Sequence, residues 1–135
     1  MISGMLERIL YVEDEPDIRA VAKIALETVG GFLLNTCNCG AQALQDAEGF
    51  KPDLLLLDVM MPGLDGPSTL AGLRKLPQTA STPAVFMTAK VQAAEMAHYA
   101  SLGVIGVIAK PFNPMTLAKE LRELWANAAL PDRAE

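Results

Sequence analysis

The sequence has little of what most metal or nucleophilic chemistry needs. It holds one histidine, His98, and two cysteines, Cys37 and Cys39. With no second Cys or His pair, a zinc-type site would have only half its ligands. On a strand, Cys37 and Cys39 would share a face while running along it, a poor geometry for bonding to each other. Both read as ordinary strand residues, and His98 as a surface or half-buried side chain in a helix. No Ser-His-Asp arrangement is supported, and no glycine-rich phosphate loop is present. Basic charge is also short. The formal net charge is −5, whereas nucleic-acid backbone calls for clustered Lys and Arg. No apolar run approaches a membrane span, and the start lacks the basic and apolar regions of a signal peptide. The expectation is a cytoplasmic protein without nucleic-acid or membrane partners.

What is present is a well-punctuated pattern. The chain has 135 residues, 51% of them hydrophobic, which suits one domain with a full core. Strand and helix alternate along it. Ile9–Val12 is a short apolar run ending at Glu13-Asp14, and Ile18, Val21, Ala22, Ala25 and Val29 follow at helical spacing until Gly30-Gly31. Phe32–Asn38 reads as a more polar strand near a sheet edge. Ala41–Ala47 reads as a short helix closed by Gly49. Leu54–Leu57 is a strand, and Ser68–Leu76 a helix. Ala84–Met87 is a strand closed by Thr88, and Ala93–Leu102 a helix ended by Gly103. Val104–Ala109 is a strand ending at Lys110-Pro111. Asn113 is a good N-cap with Pro114 at the first helical position, ahead of the apolar stripe Leu117, Leu121, Leu124, Trp125 and Ala128. Residues 1–130 are expected to form the domain and 131–135 a tail. Alternation with continuous apolar strands implies a parallel sheet with helices on both faces.

The most informative stretch follows the four leucines: Asp58-Val59-Met60-Met61-Pro62-Gly63-Leu64-Asp65-Gly66. A buried strand delivers one carboxylate at its carboxyl end, where ligands bind in open α/β sheets. Taken alone, Asp58 reads equally well as a cap for the next helix. The other strand ends tip the balance. Glu13 and Asp14 follow the first strand, Thr88 ends the fourth and Lys110 the fifth, so all share one edge of a parallel sheet. Clustered carboxylates repel and need a cation, and hard cations such as Mg²⁺ prefer oxygen ligands shared with a phosphate.

Glu13-Asp14, Asp58 with Met61-Pro62 and Asp65-Gly66, Thr88-Ala89, and Lys110-Pro111-Phe112 stand in this order on these elements. With them the sequence resembles the receiver domain of two-component response regulators, the CheY-like superfamily, over nearly its whole length. It looks like a stand-alone receiver of the chemotaxis type, or a receiver cut from a longer regulator or hybrid kinase. The resemblance implies a flavodoxin-like, doubly wound (βα)5 fold with strand order 2-1-3-4-5. It implies that Asp58 accepts a phosphoryl group from a histidine kinase or phosphotransfer protein. Asp14, Asp58 and the Met60 carbonyl would hold Mg²⁺, with Glu13 acting through water. Thr88, Lys110 and the Ala89 amide would contact the phosphoryl oxygens, and the Lys110–Pro111 bond would be cis. Such a protein catalyses only its own phosphorylation and slow dephosphorylation, and signals to a downstream protein through the face of helix four, strand five and helix five.

One position departs from the family. Where relatives carry Tyr or Phe three residues before the lysine, this chain has Val107, so either the output switch runs through the Thr88 loop alone or the output face changes less. Met60 and Lys90 stand where receivers vary the lifetime of the acyl phosphate. A degenerate receiver that binds partners without phosphorylation is a competing reading. A phosphatase of the haloacid-dehalogenase type is another, but it needs an aspartate two residues after the nucleophile, where this chain has Met60.

Overall fold

Four leucines without a polar break predict a strand covered on both faces, and β3 (Leu54–Asp58) is buried at all five of its residues. The computed structural model describes residues 5–129; the expected tail at 131–135 lies outside them. β3 is the centre of a five-stranded sheet in the order β2-β1-β3-β4-β5. The other strands are β1 (Arg8–Val12), β2 (Leu33–Cys37), β4 (Ala84–Thr88) and β5 (Val104–Ala109). All four pairings are parallel. The more polar strand, β2, lies at one edge, as its sequence suggests.

Side chains of each strand alternate between two cores. Ile9, Tyr11, Leu54 and Leu56 face α1 (Pro16–Lys23) and α5 (Leu117–Ala129), packing with Leu26, Leu117 and Trp125. Leu10, Val12, Leu55 and Leu57 face α2 (Gly40–Phe50), α3 (Gly66–Leu73) and α4 (Ala93–Ser101), packing with Ala43, Leu70, Phe86 and Tyr99. Each fully buried leucine contributes about 1.5–3 kcal/mol relative to exposure.

Several boundaries differ from the sequence expectation, each for a local reason. α2 continues through Gly49 to Phe50 and stops at Lys51, which is left-handed (φ 56) ahead of Pro52, a residue that cannot continue a helix. α3 starts at Gly66 because Asp65 caps it, accepting from the Ser68 amide at 2.8 Å. Asn113 closes a separate turn before α5: its side chain accepts from Met115 N at 2.9 Å and its carbonyl from Leu117 N at 3.0 Å. Cys39 lies beyond the strand as the N-cap of α2. The helix after β1 changes character at Ile24, where Ile24–Val29 forms a π-helical turn. There the Gly30 amide reaches five residues back to Ala25 at 3.0 Å. The wider turn seats Gly30 against α5, where an added Cβ would come within 2.8 Å of Ala118, and Arg122 donates to the Gly30 carbonyl.

Gly66 marks where the loop after β3 folds back on the strand end. A Cβ there would sit 2.6 Å from the Asp58 carbonyl oxygen and 2.9 Å from the Val59 Cα. Gly66→Ala should destabilise the domain by about 1–3 kcal/mol through forced backbone shifts. Gly49, helical and with nothing within 4 Å of its would-be Cβ, should behave oppositely, Gly49→Ala adding about 0.5–1 kcal/mol. Urea denaturation of the two variants checks both signs.

Candidate functional site

The strand order places the site. With β1 lying between β2 and β3, the connections leaving β1 and β3 diverge to opposite faces, and a crevice opens at their carboxyl ends. Val12 pairs with Leu57, so Glu13 and Asp58 emerge side by side at this edge. Lys110 follows β5, two strands from β3, and its long side chain reaches back across β4. Its Nζ lies 3.1 Å from Glu13 Oε1 and 3.1 Å from Asp58 Oδ1. The Lys110–Pro111 bond is cis.

Burial sets the electrostatics. Glu13 and Asp58 are 0% and 2% exposed, while Asp14 is partly open to solvent. Burial pushes the Glu13 carboxyl above its ordinary 4.5, and the charge of Asp58 pushes the same way; hydrogen bonds from Lys110 and the Glu15 amide pull against them. For Lys110, burial is the largest influence and lowers its affinity for a proton. The hydrogen bonds and charges of Glu13 and Asp58 together outweigh it and leave Lys110 above its ordinary 10.5. The ammonium is therefore held charged between the two carboxylates.

Glu13, Asp14 and Asp58 each offer one carboxylate oxygen, all within 4.8 Å of one another. An all-oxygen donor set, partly open to water, fits a hard divalent cation. Met60 is exposed in the adjoining loop and shares a shallow groove with Thr88, Ala89 and Lys90. The Thr88 hydroxyl stands apart from the carboxylates: it accepts from Lys90 N at 3.2 Å and donates to the Lys90 carbonyl at 3.3 Å. An apolar groove of about 470 Å³ flanks the lysine, walled by Asp17, Ile18 and Val21 of α1 with Ala89, Lys110, Pro111 and Phe112.

The structure thus gathers Glu13, Asp14, Asp58 and Lys110, with Thr88 one loop away. Asp65 serves as a helix cap, Val107 is half-buried against the α2–α4 core, and His98 is exposed on α4. Burial, with Asp46 beside it, pushes the Cys37 thiol up to about 12, so it stays protonated. Two neighbours of the site escaped the sequence reading. Arg19 donates to the Glu13 backbone carbonyl at 2.7 Å; one arginine on a helix carries no signal of that. Tyr11 lies beneath Glu13 on the same strand face, and the available signal was one aromatic hydroxyl in an otherwise aliphatic strand.

Comparison with known proteins agrees with this geometry. A family model described as "response regulator receiver domain" matches residues 9–122. The chain is 36% identical over 117 residues to the transcriptional activator protein IrlR of Burkholderia pseudomallei, covering 87% of this chain and 49% of that protein. It is 37% identical over 110 residues to the alkaline phosphatase synthesis transcriptional regulatory protein PhoP of Bacillus subtilis, covering 82% and 45%. The chain spans about half the length of the curated relatives it matches. Among solved structures, the chemotaxis protein CheY4 of Vibrio cholerae superposes with a TM-score of 0.82 at 28% identity, covering 88% of this chain and 98% of that one. The N-terminal domain of a response regulator receiver protein from Methanoculleus marisnigri superposes with a TM-score of 0.72 at 34% identity, covering 95% and 99%.

A carboxyl held above its unfolded value adds stability while protonated and loses it as pH rises through its folded value. In the metal-free protein, the melting temperature of wild type minus that of Glu13→Gln should therefore fall as pH rises from below 4.5 toward neutrality. A flat difference would show that Lys110 fully compensates the buried charge.

Proposed function

The chain belongs to the response regulator receiver domain family of two-component signalling, and on that footing we propose that Asp58 is its phosphoacceptor. In this reading a phosphohistidine on a sensor kinase or phosphotransfer protein is the donor. An Asp58 oxygen bonds to phosphorus as the P–N bond breaks, and the electron pair leaves on the imidazole nitrogen. The observation that carries the reading is the Lys110 ammonium, 3.1 Å from Asp58 Oδ1 and shared with Glu13 beside Asp14. It gives one nearly buried carboxylate an adjacent cation that can follow the oxygen charge onto a phosphoryl group.

Asp14 and Asp58 with the Met60 carbonyl would hold Mg²⁺, Glu13 supporting it through water. When bound, the ion offsets charge on the transferring phosphoryl group, the main need in such reactions. Asp58 supplies the nucleophile, Lys110 takes one phosphoryl oxygen, and Thr88 and the Ala89 amide take others once the hydroxyl leaves Lys90. The apolar groove beside Lys110 suits the donor protein, because docking there brings a histidine to the crevice while excluding water. The protein then acts as a switch rather than as an enzyme with an external turnover, working in the cytoplasm where such donors are phosphorylated.

The output goes to a protein partner, or to a domain attached in a longer chain, through the α4–β5–α5 face. The longer relatives named as transcriptional regulators favour the second arrangement, in which any DNA contact belongs to the attached domain. That face carries Val107 rather than an aromatic side chain; Val107 pairs with Phe86 of β4, whose ring meets Tyr99 of α4 edge-on at 4.8 Å. A degenerate receiver has less support, since the carboxylates and the lysine are all present.

Asp58→Asn should abolish the acyl-phosphate adduct formed with a small phosphoryl donor and Mg²⁺ while leaving the fold intact, as read by intact-protein mass spectrometry. The same adduct on the variant would refute Asp58. Millimolar Mg²⁺ should raise the melting temperature of wild type by mass action, and Asp14→Ala should remove most of that gain. A melting curve indifferent to Mg²⁺ would count against the metal site.

A further inference from the structure

Tyr11 has no part in the reading above, yet it lies directly under the site. It pairs with Leu56 as Val12 pairs with Leu57, so it stands two residues before Glu13 on β1, as Leu56 stands two before Asp58 on β3. Strand alternation puts all four side chains on one face. The ring is 0% exposed, and its hydroxyl has no hydrogen-bond partner. Buried polar atoms without a partner are uncommon, and a phenylalanine ring would fill the same space without one. The hydroxyl nonetheless lies within weak interaction range of the Glu13 carboxylate, short of a well-formed hydrogen bond, and feels the charges of Glu13, Asp58 and Arg19. Burial first, and those two carboxylates next, push the phenol far above its ordinary value, so it stays a donor.

Glu13 has its partners elsewhere for now. Its Oε1 takes Lys110 at 3.1 Å and its Oε2 the Glu15 amide at 3.2 Å. The same Lys110 Nζ holds Asp58, so any group added to Asp58 that draws the ammonium to itself strips Glu13 of its charged partner. The hydroxyl below is an idle donor within reach of that carboxylate's influence. We propose that Tyr11 is a positioning residue: when Lys110 turns to a phosphoryl oxygen on Asp58, the Tyr11 hydroxyl donates to Glu13 and keeps that carboxylate aimed at the cation-binding cluster. The inference rests on Asp58 being the phosphoacceptor.

Tyr11→Phe removes the hydroxyl and keeps the ring, so it separates this role from core filling. Wild type and variant are melted metal-free, with Mg²⁺, and with Mg²⁺ plus beryllofluoride as the phosphoryl mimic. The variant should melt at or above wild type when metal-free, because an idle buried hydroxyl is gone. With beryllofluoride present, its Mg²⁺ affinity should fall about tenfold, the scale on which supporting partners of metal ligands act. Opposite signs in the two states are what a purely structural hydroxyl would not produce. Equal Mg²⁺ affinity in both proteins, or an equal loss of stability in every state, overturns the role of Tyr11 alone. A wild type that gains nothing from Mg²⁺ and beryllofluoride overturns the Asp58 reading, and this inference with it.

Discussion

Glu13 and Asp58 carry two carboxylates at the end of a buried sheet, almost out of contact with water, and the Lys110 ammonium stands 3.1 Å from each. Two like charges in that setting repel, and neither is well solvated. One cation shared between them makes the arrangement tenable, and much of the fold serves to bring it there. β1 and β3 must be neighbours and parallel for the carboxylates to meet. β5 must end at the same edge, with β4 between, for a lysine to reach them.

The same arrangement leaves the site unfinished. A single ammonium cannot neutralise Glu13, Asp14 and Asp58 together, so the cluster retains net negative charge and oxygen atoms suited to a hard cation. Lys110 is also committed to two partners at once. A change at either carboxylate would therefore be felt by the other through the shared ammonium. Asp58 emerges from a fully buried strand, which gives it a rigid mount. Thr88 instead bonds to its own loop at Lys90, and the α4 helix that follows buries only Tyr99. Elements with so little burial open and shift at low free-energy cost. Asp58 and Thr88 thus both end fully buried strands, and the segment that follows Thr88 is the more lightly held of the two.

Much of this was legible beforehand. Five apolar runs, each followed by a helical pattern, imply a parallel sheet, and polar residues at the ends of parallel strands share an edge. Glu13, Asp14, Asp58 and Lys110 could be gathered on that argument, because topology converts a position at a strand end into a position in space. The helix boundaries were less legible. Asp65 caps α3 through a specific amide contact, Asn113 closes a turn ahead of α5 instead of opening that helix, and the π-helical turn before Gly30 answers to Ala118 and Arg122, far away in sequence.

By itself, then, the sequence determined the alternation of strand and helix, the burial of β3 and the set of side chains at one sheet edge, because these depend on local pattern and on rules common to all parallel sheets. Only the tertiary structure decided which of those side chains touch. It joined Lys110 to Glu13 as well as to Asp58, turned Thr88 away toward Lys90, and left the Tyr11 hydroxyl without a partner beneath them. Such contacts turn on side-chain lengths and directions across strands that are distant in the chain, and no periodicity within a segment records them.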